Sequence, residues 1–193
     1  MNLDKEYWSS RYNSNNIGWD LGKVSSPLKA YIDQLEDKSL KILIPGGGNS
    51  YEAEYLFSQG FKNVFVIDLA IEPLNNLQKR QPNFPVEQLI QGNFFELEDE
   101  FDLILEQTFF CALPLSKRKD YAIKMKELLK PQGKLAGLFF DIEFNKEGPP
   151  FGGNKEEYLT YFSPYFKIKI LEPSYNSIAP RQGNELFFIF NKK

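Results

Sequence analysis

Between residues 40 and 140, five short apolar runs alternate with amphipathic stretches, and this alternation restricts what the chain can fold into. The runs at 40–44, 64–67, 86–91, 101–106 and 134–140 have strand length. The stretches between them carry helical spacing. A helix is expected over 51–58, stopped by Gly60, and another over about 72–80 with Pro73 in its first turn. Ser116 is placed to cap a helix whose apolar face holds Tyr121, Met125, Leu128 and Leu129, with Pro131-Gln132-Gly133 closing it. Upstream, Ser26 and Pro27 open a helix with Leu28, Tyr31, Ile32 and Leu35 on one stripe. Downstream, Asn154 and Glu157 have capping-box spacing before Tyr158, and 166–171 and 185–190 read as a closing antiparallel hairpin. Strand–helix alternation of this kind implies an α/β protein: a mostly parallel seven-stranded sheet with helices on both faces.

Length and charge narrow the function. The 193 residues fit one domain over 1–193, with a polar, aromatic-bearing segment at 1–24. A net charge of −3 offers no electrostatic footing for nucleic acid. The densest basic run, Lys117-Arg118-Lys119, reads as the exposed first turn of a helix. Cys111 is the single cysteine, which excludes an intramolecular disulfide and fits a reducing compartment. Without a signal-peptide pattern at Met1–Glu6 or an apolar stretch of membrane-spanning length, a soluble cytoplasmic protein is expected. Histidine is absent altogether. That removes the commonest general base and, with one cysteine, leaves no expected metal site.

Two features define a ligand site at the carboxyl ends of the strands, where open parallel sheets bind their ligands. Gly46-Gly47-Gly48 follows the first strand, where missing Cβ atoms let a ligand lie against the backbone. Asp68 ends the second strand, where a carboxylate accepts both hydroxyls of a ribose. Either feature alone is as well read as a tight turn or a helix cap; the pair, in the right elements, points to an adenosine ligand. A dinucleotide calls for G-x-G-x-x-G running into the helix. Here Asn49-Ser50-Tyr51-Glu52 follows the last glycine, and Glu52 and Glu54 would oppose a diphosphate. S-adenosylmethionine, a sulfonium cation without phosphate, suits the loop better.

The same residues carry a family resemblance along nearly the whole chain. Tyr7-Trp8-Ser9-Ser10-Arg11-Tyr12 with Gly18-Trp19-Asp20-Leu21-Gly22, Ile44-Pro45-Gly46-Gly47-Gly48, and Gly92-Asn93-Phe94-Phe95 are three of its motifs. Phe101-Asp102-Leu103-Ile104 with Thr108-Phe109-Phe110-Cys111-Ala112-Leu113-Pro114, and Ser177 through Glu185, complete it. Together they resemble the thiopurine/thiol/halide S-adenosylmethionine-dependent methyltransferases, whose fold is the Rossmann-like class I methyltransferase domain with an N-terminal aromatic lid.

The resemblance implies roles. Trp8, Tyr12 and Trp19 would form a lid over cofactor and substrate, Gly46 and Gly48 would contact the methionine portion, and Asp68 the ribose. Asn93 and Phe94 would hold the adenine, and Gln107 would lie beside the cofactor or substrate. Trp19, Gln107, Phe110 and Arg181 are the candidates for contact with the methyl acceptor, with Arg181 equally placed to pair with Glu185. The chain departs from the pattern at Gly47 (a Cys in the family), at Asn93 (often Asp) and at Gln107 (Tyr or Arg). An Asn at 93 accepts from the adenine amino group without charge assistance, and a changed residue 107 bears on acceptor identity.

The implied reaction is methyl transfer from S-adenosyl-L-methionine to a small soft nucleophile such as a thiol, thiopurine or halide, leaving S-adenosyl-L-homocysteine. It needs no histidine and assigns no residue as a base, because the cofactor carries the leaving group. The alternatives are a non-catalytic adenosine-binding protein of the same fold and a dinucleotide-dependent oxidoreductase. Cys111, with no histidine beside it, reads as a buried structural thiol, and the aromatic trio also reads as a hydrophobic staple for the N-terminus. The expected partner is a small molecule, and the expected state a monomer.

Overall fold

The computed structural model describes residues 2–193. Seven strands form one sheet in the order β3-β2-β1-β4-β5-β7-β6. They are β1 (Ile42–Pro45), β2 (Val64–Asp68), β3 (Leu89–Gln91), β4 (Phe101–Gln107), β5 (Leu129–Phe140), β6 (Phe166–Pro173) and β7 (Glu185–Lys192). The helices are α1 (Lys5–Asn13), α2 (Ser26–Ile32), α3 (Tyr51–Ser58), α4 (Ile71–Arg80), α5 (Arg118–Glu127) and α6 (Lys155–Phe162). None of the described helices is long and apolar enough to cross a membrane. The chain divides into two compact units, Met1–Leu97 and Glu98–Lys193.

In the first unit β1 pairs in parallel with β2, and β2 with β3. All of β1 is buried, as its unbroken Ile-Leu-Ile run requires of a parallel central strand. Leu56 of α3 and Leu74 and Leu77 of α4 are also fully enclosed. The N-terminal segment, read only as polar with aromatics, contains α1, whose first turn is capped by Asp4 accepting from the Tyr7 N–H at 2.9 Å. At α2 the chain starts one residue earlier than expected. Ser25 occupies the cap position without a side-chain capping bond, and its own N–H donates to Glu52 at 3.0 Å. The stretch expected as a strand over 86–91 is half 3₁₀ turn, leaving β3 three residues long.

In the second unit β4 and β5 are parallel, and β7 lies antiparallel between β5 and β6, as the hairpin reading requires. A ring cluster of Phe110, Tyr121, Phe139, Tyr158, Phe162, Phe188 and Phe190 fills its core. Asn154 caps α6 by accepting from the Glu157 N–H at 2.9 Å.

Three local readings are corrected here. Ser116 lies in a 3₁₀ turn, and α5 starts at Arg118 with Lys117 at its cap. Arg118 is 1 % exposed rather than solvated; it pairs with Glu157 at 2.6 Å and donates to the Gly152 carbonyl at 2.6 Å. Pro131-Gln132-Gly133 lies inside β5 instead of closing a helix: Phe101 pairs with Leu129 but Leu103 with Lys134, so the extra residues bulge out at Gln132, whose φ is +66°.

Candidate active site

The glycine loop leaves β1 with backbone that only glycine adopts readily: φ is +54° at both Gly46 and Gly48. At Gly47 an added Cβ would lie 2.6 Å from Val66, so the Cys of the family pattern has no room in this packing. At Gly48 an added Cβ would approach the Tyr12 hydroxyl at 3.0 Å and the Trp19 Nε1 at 3.9 Å. Tyr12 and Trp19 therefore come directly over the loop. Asp68 reaches it from β2, its Oδ2 accepting from the Gly48 N–H at 3.0 Å while Oδ1 accepts from the Ala70 N–H at 2.9 Å. Burial pushes the Asp68 carboxyl up to about 6 against those two donors, with Glu72 adding to the rise. A carboxylate offers about four acceptor positions, so two backbone bonds leave capacity for the hydroxyl pair of a ribose.

The three lid aromatics are brought together. Trp8 and Trp19 meet edge-on at 5.6 Å, and Tyr12 and Trp19 at 5.9 Å. Burial, followed by the nearby Asp68 charge, holds the Tyr12 hydroxyl well above its ordinary range, so it stays a neutral donor. Helix α1 is also tied down, as a staple would be: Ser9 and Asn13 of α1 donate to the Glu72 carboxylate of α4 at 2.9 and 3.1 Å.

Sequence reasoning missed the network beneath the loop. The Asn49 side-chain amide donates to Asp20 of the N-terminal segment and accepts from Asn76 at 2.9 Å. Arg80 donates to the Asn49 carbonyl and pairs with Glu54 at 2.6 Å. Glu54, read as a charge opposing diphosphate, is thus already matched. No spacing rule connects residues 20, 49 and 80, so no signal in the sequence could have found this set.

Asn93 follows β3, which the Gly92 N–H holds beside β2 by donating to the Asp68 carbonyl at 2.9 Å. Its Oδ1 accepts from the Phe95 N–H at 3.1 Å and its Nδ2 donates to Glu96 at 2.9 Å. Phe94 is buried, edge-on to Phe95.

The remaining candidates lie in the second unit. Gln107 is the last paired residue of β4, opposite Leu138. Phe110 is 2 % exposed, in the ring cluster. It also lines a small cavity of about 10 Å³ shared with Glu106, Cys111 and Tyr158. Arg181 contacts Glu185 at 3.4 Å and sits 5.6 Å from the Phe140 ring. Cys111 is buried, and burial together with the Glu106 charge pushes its thiol up, which fits a structural thiol and not a nucleophile.

The sheet order, with the glycine loop after β1 and Asp68 at the end of β2, is that of the Rossmann-like class I methyltransferase fold. Its backbone superimposes on magnesium protoporphyrin IX methyltransferase from Synechocystis, solved with bound S-adenosylhomocysteine, at a TM-score of 0.77 and 12% identity, covering 98% of this chain and all of that one. The sequence profile of the thiopurine S-methyltransferase family (TPMT) matches residues 3–190. The chain belongs to that family and is an S-adenosylmethionine-dependent methyltransferase. Curated relatives include a probable thiol methyltransferase 2 of Arabidopsis thaliana, 29% identical over 184 residues, covering 92% of this chain and 81% of that protein. Thiocyanate methyltransferase 1 of Brassica oleracea is 27% identical over 186 residues, with the same coverages.

Proposed function

We propose that the cofactor is held by Trp8, Tyr12, Trp19, Gly46, Gly48, Asp68, Asn93 and Phe94, and that the acceptor is a small soft nucleophile met by Trp19, Gln107, Phe110 and Arg181. The observation that carries this reading is the cradle at Gly48, where a Cβ would meet the Tyr12 hydroxyl at 3.0 Å and Trp19 Nε1 at 3.9 Å and Asp68 accepts from the loop's N–H. When bound, S-adenosylmethionine supplies a methyl group on a sulfonium, an electrophile with its leaving group built in. The chain's own work is then binding, alignment and dryness. Asp68 accepts from the ribose hydroxyls, Asn93 offers its Oδ1 to the adenine amino group, and Phe94 walls the ring. The edges and faces of Trp8, Tyr12 and Trp19 exclude water and hold a cation.

No residue is needed to remove a proton. Acceptors such as thiocyanate and halides carry none to lose, and a thiol of near-neutral pKa loses its own to solvent. This agrees with a chain without histidine and with a Cys111 whose thiol is held neutral. Two curated relatives carry thiol and thiocyanate in their names, which supports the same acceptor class. The reading further places residues 1–193 as one catalytic domain with 1–24 as its lid, working as a cytoplasmic monomer on small molecules. The single cysteine and the net charge of −3 support it.

The test is product formation with S-adenosylmethionine and a panel: thiocyanate, iodide, a small aliphatic thiol, a thiopurine, and an aliphatic alcohol as counter-example. Turnover of one or more soft nucleophiles without methylation of the alcohol is the expected result. Transfer to the alcohol alone, or to none of the panel by a protein that binds the cofactor, contradicts it.

A further inference from the structure

One buried ionisable group has no part in the reaction just described. Glu106, the penultimate residue of β4, is 0 % exposed, and no cation pairs with it among the described residues. Its Oε1 accepts from the Phe109 N–H at 2.7 Å and the Phe110 N–H at 2.9 Å, and its Oε2 accepts from the Tyr121 hydroxyl of α5. The residue spanned by these bonds is the unusual one. Thr108 has φ +59°, a left-handed conformation that a β-branched side chain adopts only under constraint. The Cys111 thiol adds a contact to the Thr108 carbonyl at 3.2 Å. The other groups around the carboxylate are Tyr158 of α6 and Glu185 of β7, which share its cavity, and the apolar side chains of β5.

We infer that Glu106 is a positioning residue for the methyl acceptor: by tying two consecutive amides and Tyr121 to one carboxylate, it imposes the Thr108 turn that sets where Gln107 stands at the end of β4. The inference rests on the reading of Gln107 as an acceptor contact. The bonds are those of a claw. With Oε1 occupied by both amides, the chain must reverse within three residues, and Gln107 cannot drift from its register opposite Leu138. Burial pushes the carboxyl up to about 7, and either protonation state keeps Oε1 free to accept both amides. The role therefore belongs to the group's shape and acceptor, not to its charge. A glutamine fills it: its carbonyl accepts from both amides and its NH₂ donates to Tyr121. An aspartate, one methylene shorter, does not reach.

The experiment compares Glu106→Ala, Glu106→Gln, Glu106→Asp and Gln107→Ala. It reads kcat and KM for thiocyanate and a small aliphatic thiol, alongside S-adenosylmethionine affinity by calorimetry. Glu106→Ala and Glu106→Asp are expected to lose about tenfold or more in acceptor kcat/KM, as sub-ångström to ångström misplacement does, with cofactor affinity within about twofold. Glu106→Gln is expected to recover to within about threefold of wild type. The inference is overturned if Glu106→Ala leaves acceptor kcat/KM unchanged, if cofactor affinity falls in the same proportion, or if Glu106→Gln is no better than Glu106→Asp. Where Glu106→Ala does not fold, the Asp and Gln variants decide alone. Gln107→Ala separates the two readings. No change in acceptor KM there sinks the acceptor contact itself, whereas a change there without one in the Glu106 variants sinks only the positioning role.

Discussion

Replacing Glu106 by glutamine should reshape the pH dependence of stability, and the size of the change follows from the structure. The carboxyl is fully enclosed, and burial raises it from an ordinary 4.5 to about 7 despite three hydrogen bonds to its charged form. Between those two values the native protein keeps a proton that the unfolded chain has released. Stability therefore falls as pH rises through that window. A rise of this size corresponds to roughly 3 kcal/mol, at about 1.4 kcal/mol per pH unit. Glu106→Gln keeps the acceptor for both amides, reverses the Tyr121 bond and removes the titration. Its stability relative to wild type should climb by about 3 kcal/mol between pH 4.5 and pH 8, with most of the gain present by pH 7. Urea unfolding of both proteins at half-unit pH intervals measures it. Asp68 also titrates, but identically in both, so it cancels in the difference. A difference constant from pH 5 to 8 would refute the reasoning, because it would mean that the native carboxyl ionises as freely as the unfolded one.

Other outcomes follow from single contacts. Burial holds Asp68 near 6; with its charged form as the proposed acceptor of the ribose hydroxyls, S-adenosylmethionine affinity should fall below pH 6, by up to about tenfold per unit, in calorimetric titrations from pH 5 to 8. Arg118→Met removes the partner of Glu157 and strands the Gly152 carbonyl; about 3 kcal/mol of unfolding free energy should be lost in chemical denaturation. Gly137→Ala places a Cβ 2.3 Å from the Glu106 backbone oxygen, and should cost about 2 kcal/mol or more in the same assay. Glu72→Ala frees Ser9 and Asn13, so amide exchange in α1 should accelerate while global stability changes by about 1 kcal/mol or less.

Much of this was readable from the residues because the signals were local. Apolar runs marked the strands, and the glycine turn and Asp68, read together from adjacent strand ends, do meet, the Gly48 N–H donating to Asp68 at 3.0 Å. Asn154 was legible as a cap because its partner is three residues away. The misreadings of Arg118 and of Pro131-Gln132-Gly133 share one cause: their partners are far along the chain. Arg118 looks solvated in a Lys-Arg-Lys run, and only the arrival of Glu157, thirty-nine residues on, buries it. Pro131-Gln132-Gly133 is turn chemistry, but whether it ends a helix or bulges a strand depends on the register against β4. Glu106 shows as one acidic residue closing an apolar strand, and its claw on Phe109 and Phe110 becomes visible only with the Thr108 turn in place.

Calorimetry of wild type and Asp68→Asn is the decisive measurement of whether Asp68 holds the adenosine cofactor at the glycine loop. The substitution preserves shape but removes charge-assisted bonds worth about 1.5–3 kcal/mol each. S-adenosylmethionine should bind the wild type, bind folded Asp68→Asn roughly tenfold to a hundredfold more weakly, and NAD should give no heat with either. Equal affinity in wild type and Asp68→Asn would contradict the site as assigned.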